Sequence, residues 1–156
     1  MSHISAFDND ATDTFANIDM PVGVGKANNR DDVLVVQGLL FIIFTRGSLT
    51  TLFHVPKSVT SFSVTGTMDD NTAALINAFK ARQRKIGIFL TPGPFINPVK
   101  ISTRKEALRH HKTLVELNNN ASLIVAALFP DSLIDVLGRL NPDLPNALSV
   151  GPITFQ

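Results

Sequence analysis

The run VLVVQGLLFIIF, residues 33–44, narrows what this chain can build more than any other stretch. Val33, Val36, Leu40 and Ile43 recur at helical spacing, and Val35, Leu39, Ile42 and Phe44 widen that stripe. A helix that is apolar around most of its girth has to be surrounded by other elements. The run is interrupted by Gln37 and is too short to cross a bilayer, which needs about 20 apolar residues. The chain of 156 residues is therefore expected to wrap one deeply buried helix, over residues 31–45, into a single domain with an extension. Asn29 or Asp31 can cap its first turn, and Asp32 suits the positive end of its dipole.

The other segments follow from periodicity and from turn residues. Residues 1–20 carry Asp8, Asp10, Asp13 and Asp19 among small polar residues and read as an acidic flexible arm. Residues 46–68 read as a loop, with FHV and FSV as short extended pieces. DNTAALINAFKARQRK, residues 70–85, reads as an amphipathic helix with Leu75, Ile76 and Phe79 facing inward, ended by Gly87. Pro92, Gly93, Pro94 and Pro98 make residues 88–103 turn and extended chain. Residues 104–129 read as one or two helices, broken or bent at Asn118–Asn120. A last helix is expected over 131–140 with Asp131 as its cap. The fold class is thus mainly α, a small helical bundle with a C-terminal helical extension over residues 119–156.

Charge is uneven although the formal total is only +1. Segment 1–32 has six acids and two bases, and segment 80–112 has nine Lys or Arg against Glu106 alone. The basic block reads first as a solvated face and second as an anion-facing patch. As a nucleic-acid surface it lacks interleaved aromatics and any motif. The chain has no Cys, which excludes disulfides, a thiol nucleophile and Cys-held metals. It also has no Trp and no Tyr, the side chains that most often offer a flat face to sugars. The polar, acidic start MSHISAFDNDATDTF lacks the basic and apolar regions of a cleaved leader. Synthesis in the cytoplasm is expected, with delivery to a periplasm, where it occurs, by a specialised secretion system.

Catalytic patterns fail one after another. GVGK, residues 23–26, lacks the spacing and the Ser or Thr of a phosphate loop, and no third glycine completes a dinucleotide fingerprint. Glu106 and Glu116 stand ten apart, with the remaining acids mostly in caps and loops, which does not suggest a glycosidase pair. His110 and His111 are adjacent, so on a helix they point about 100° apart and cannot share a metal in the usual way. No Gly-x-Ser-x-Gly is present. The chain is expected to be a non-enzyme with no cofactor.

Three stretches in series carry a likeness. VGVGKANNRDDVLVVQGLL has Asp32, Val33, Val36, Gln37, Leu39 and Leu40 in the order Asp-Val-x-x-Val-Gln-x-Leu-Leu. TGTMDDNTAALINAFKARQ contributes Gly66, Thr72, Ile76 and Phe79, and PGPFINPVK with the later KTLVELN contributes Gly93, Pro98, Thr113, Leu114, Leu117 and Asn118. Over residues 21–118 this resembles the peptidoglycan-binding-like domain family, a three-helix cell-wall-binding module, with the insertion ISTRKEALRHH dividing the last motif. Thr65, Met68, Asp69, Lys80 and Pro92 stand where the family has Asp, an aromatic, Gly, Gln and Asp.

The resemblance implies a non-catalytic peptidoglycan-binding module, set in a bacterial contact-dependent secretion or effector context. In that reading a shallow groove between the first two helices holds the ligand. Asp69, Asp70 and Asn71 bond its amides and hydroxyls, Lys80 and Arg82 pair with stem-peptide carboxylates, and Asn97 adds a loop contact. The alternative is a protein–protein adaptor, chaperone or immunity-type protein on the same scaffold. Its partner would be a secretion component, an effector or a second copy, and the apolar stretches ASLIVAALF and DSLIDVLGRL favour it.

Overall fold

The computed structural model describes residues 2–6, 14–46, 53–100, 103–109, 112–128, 133–141, 143 and 154–155. Strands β1 (His3–Ala6) and β2 (Thr14–Asn17) come first, then β3 (Val22–Gly23) and helix α1 (Arg30–Arg46). Helix α2 (Asp70–Lys85), strand β4 (Phe95–Ile96) and helices α3 (Arg104–Arg109), α4 (Thr113–Leu128) and α5 (Leu133–Leu140) follow, with β5 (Thr154–Phe155) last. The architecture is helical at its centre, as expected, but mixed α/β overall rather than mainly α. β1 pairs antiparallel with β2 and parallel with β5, while β3 pairs antiparallel with β4.

Helix α1 is the axis of the fold. Val33, Leu34, Val35 and Val36 are all buried, so a full turn of the helix has core on every side, and Leu39, Leu40, Ile42 and Ile43 continue it. α4 packs along it, with α2, α5, β2 and β3 around the remaining faces. From α2, Phe79 stacks on Phe53 at 5.8 Å between ring centroids, and Phe53 meets Phe44 of α1 edge-on at 5.9 Å. The expected helices at 31–45 and 70–85 are thus present, the second with the expected bounds.

Of the first twenty residues, expected as a flexible arm, residues 2–6 and 14–20 are described, and these pack on the fold. Phe15, Ala16 and Ile18 are buried in the common core, and β2 lies between β1 and α4. Three asparagine side chains explain how such short strands are held. A carboxamide offers one donor and one acceptor, the same pair a neighbouring strand offers. Asn118 of α4 accepts from Ala16 N–H at 2.8 Å and donates to Ala16 C=O at 2.9 Å. Asn17 accepts from Val99 N–H at 3.1 Å and donates to Val99 C=O at 3.0 Å. Asn28 does the same for Gly23, at 2.8 and 2.9 Å.

The break expected at Asn118–Asn120 falls earlier. α3 ends at Arg109 and α4 opens at Thr113, with all three asparagines inside α4. Asparagine disfavours helix interiors because its amide competes for backbone partners. Here the Asn118 amide goes to Ala16 and to Leu114 C=O, and Asn120 donates to Glu116 C=O, so the competition is resolved without opening the helix. FHV and FSV lie in irregular chain. Asp131, His110 and His111 lie outside the described residues.

Candidate functional site

The residues that carry the resemblance meet in space. Gln37 is wholly buried on α1, and its Oε1 accepts from Thr65 N–H at 2.9 Å and Gly66 N–H at 2.8 Å. Its Nε2 donates to Thr67 C=O at 2.9 Å and to the Thr72 hydroxyl at 3.1 Å. One side chain therefore ties the turn before α2 to the middle of α1. Asp32 is drawn inward rather than toward its own helix end: its two oxygens accept from Asp19 N–H and Met20 N–H, each at 3.1 Å. Burial pushes its carboxyl above the usual range against the pull of those two backbone donors.

Most of the polar residues expected to face a ligand are engaged within the fold. Asp69 is the N-cap of α2, accepting from Thr72 N–H at 2.7 Å and from the Thr72 hydroxyl at 2.6 Å. Asn71 donates to Ser61 C=O at 2.7 Å. Asp70 is exposed on the first turn. Lys80, expected to reach a stem-peptide carboxylate, is buried, and its Nζ donates to Thr91 C=O, Gly93 C=O and Phe95 C=O at 2.7, 2.7 and 2.6 Å. An ammonium has three donors, and all three are used. Burial lowers the Lys80 pKa to about 8.

Lys80 is the template for the loop after α2. Its ammonium gathers alternate carbonyls of residues 91–95 and stands 4.6 Å from the centroid of the Phe95 ring, over which Lys26 Nζ also sits at 4.4 Å. Phe95 in turn forms β4 against β3, where Gly23 approaches so closely that an added Cβ would strike Pro94 C=O and the Phe95 backbone. The positive φ of Gly23, 148°, adds a second reason for glycine.

The expected groove does not assemble as one site. Asp70 and Lys80 lie ten residues apart on α2, about 15 Å along its axis. Arg82 points about 200° around the helix from Lys80, toward the Phe53 ring at 5.8 Å, and lines a separate cleft with Phe44 and His54. What the fold does bring together is Lys80 and Asn97. They share a cleft of about 80 Å³ with Thr91, Phe95, Lys112 and Thr113. Lys112 and Asn97 are exposed at this cleft, and Thr113 opens α4, where backbone N–H groups lie ahead of the helix's own bonding pattern. The cleft thus offers an ammonium, a carboxamide and a hydroxyl over a floor made by the Lys80–carbonyl clamp. Lys112 was visible in sequence only as the end of the basic block. Its place beside Asn97 follows from its position directly before α4.

Among the described residues, no three His, Asp or Glu side chains come together as a metal-holding group. No helix among them is long and apolar enough to cross a membrane. Compared with known family models, curated proteins and solved structures, the chain matches none.

Proposed function

We propose that this chain is a non-catalytic peptidoglycan-binding module that takes the carboxylate tip of a stem peptide at the Asn97–Lys112 cleft. The observation that carries this reading is the convergence of Asn97, Lys112 and Thr113 over the Lys80 clamp. The cleft has room for a few waters, the size of a carboxylate or primary amide and not of a sugar ring. The ammonium and amide there are chemically suited to an anion, through a charge-assisted bond of the kind that carboxylates form best. The convergence of Gln37, Gly66 and Thr72 in one hydrogen-bonded knot supports the likeness that suggested the family. Asp69, Asn71 and Lys80 then serve the scaffold, and Arg82 lies away from the ligand. In this reading the module works in a bacterial secretion or effector setting, without chemistry of its own.

The test is co-sedimentation of the purified protein with insoluble sacculi at low and at moderate salt. Retention at both supports the reading. Retention lost at moderate salt marks general attraction to anions and overturns it.

A second reading, a protein–protein adaptor, is favoured by the engagement of Asp69, Asn71 and Lys80 inside the fold. Failure of sacculi to retain the protein at either salt would select it.

A further inference from the structure

The cleft at Asn97 and Lys112 has a chemical bias that begins with Lys80. A backbone carbonyl is the acceptor with which a fold most readily receives a neutral amide N–H. The chain beside this cleft turns three of them, from Thr91, Gly93 and Phe95, onto Lys80 Nζ at 2.7, 2.7 and 2.6 Å. Lys80 is only 8% exposed, so little water competes for that ammonium. Thr91 and Phe95 are themselves walls of the cleft. Their carbonyls point at the ammonium and not at a guest.

What the cleft keeps for a guest is mainly donors. The Lys112 ammonium brings three N–H groups and the Asn97 carboxamide two. Both side chains are exposed, and neither bonds to another described residue. The Thr113 hydroxyl adds one more donor. Among the described residues, no acid lines the cleft. Glu116, one turn on from Lys112, is buried and accepts from Gln83 Nε2 at 3.2 Å, on the inner side of α4.

We infer that this cleft selects a free carboxylate terminus against the same terminus as a carboxamide, with Lys80 setting the preference by withholding the carbonyls. The inference rests on the wall-binding reading and adds which form of stem peptide is taken, the unamidated one. Size does not separate the two groups, since they are close to the same shape. Hydrogen bonding does. A carboxylate accepts from Lys112 and Asn97 through both oxygens, and the bond to Lys112 is charge-assisted. A carboxamide has no charge and one oxygen, and its two N–H groups need acceptors. Asn97 Oδ1 and the threonine hydroxyls are the side-chain acceptors at hand, and turning Asn97 Oδ1 to the guest turns its N–H groups away. A desolvated N–H left without an acceptor weakens binding.

The test is an amide NMR titration of the full chain at moderate salt. The probes are diacetyl-lysyl-D-alanine as the free acid and as its carboxamide. The acid is expected to shift the signals of Asn97, Lys112 and Thr113 and to bind at least about tenfold more tightly than the amide. Asn97→Asp changes an exposed side chain and returns a charged acceptor to the cleft. It is expected to weaken the acid by about tenfold and to bind the amide more tightly than wild type does. Sacculi whose carboxyls have been converted to carboxamides are expected to lose the protein, while untreated sacculi keep it. Equal binding of the two probes, or an Asn97→Asp variant that still prefers the acid, would overturn the inference and leave wall binding standing. Retention by untreated sacculi with neither probe bound would also overturn it, because the grip on the wall would lie elsewhere. Untreated sacculi that fail to retain the protein would overturn the wall reading itself, and this inference with it.

Discussion

At the scale of single residues, side-chain amides and one ammonium do work that backbone ladders do elsewhere. Gln37 joins four backbone or hydroxyl groups across α1 and the turn before α2. Gln37→Leu keeps the size and removes every bond, and it is expected to cost about 2–4 kcal/mol, because buried N–H groups of the turn are left without partners. Urea unfolding at unchanged m-value measures this. A loss near zero would mean the turn is held by other contacts. Lys80 gives a pH signature. Its folded pKa, lowered to about 8 by burial, lies below its ordinary 10.5. Between those values the unfolded chain binds the extra proton, so stability from this group rises with pH across that window. Wild type is expected to gain in melting temperature on Lys80→Met as pH rises from 8 toward 10.5. The reverse trend would mean that the three carbonyls hold the charge more strongly than burial removes it. Sequence showed these residues but not their partners. Lys80, Asp69 and Asn71 read as free polar groups because nothing local reveals that a carbonyl or hydroxyl from another segment will meet them.

At the scale of elements, legibility followed the range of the forces involved. α1 and α2 could be read because their periodicity and caps are local: Asp69 starts α2 and Gly87 ends it. Asp69→Ala is expected to lower stability by about 1 kcal/mol, the ordinary cost of losing an N-cap, and thermal unfolding measures it. The strands could not be read, because each is two to four residues long and gains its partners from far along the chain. β2 is held by β1 on one side and by Asn118, 102 residues on, at Ala16. The helix break was expected at Asn118–Asn120 because three asparagines in a row signal one, and only their tertiary partners make them helical. β3–β4 yields a further expectation. Gly23→Ala forces a Cβ into Pro94 C=O and Phe95, so it is expected to separate the two strands and release the loop that Lys80 gathers. Faster hydrogen exchange at Val24 N–H, which bonds Pro94 C=O at 3.2 Å, would report this, and unchanged protection would contradict it.

At the scale of the whole molecule, the fold uses its polar interior to hold loops and leaves clefts beside α2. The one at Asn97 and Lys112 suits a small anion, and another is walled by Ala81, Phe89, Leu90 and Pro92. The helix-centred domain was legible from the apolar girth of α1. The site was legible only in Asn97 and in the basic block, since its geometry depends on the clamp and on where α4 begins. The central claim is that the Asn97–Lys112 cleft carries recognition of the cell wall. The measurement that tests it most directly is co-sedimentation with sacculi of wild type, Lys112→Glu and Arg82→Glu, side by side at moderate salt. Retention of wild type and Arg82→Glu, with loss of about tenfold for Lys112→Glu, is the predicted result. Equal retention of all three, or equal loss in both variants, would contradict it.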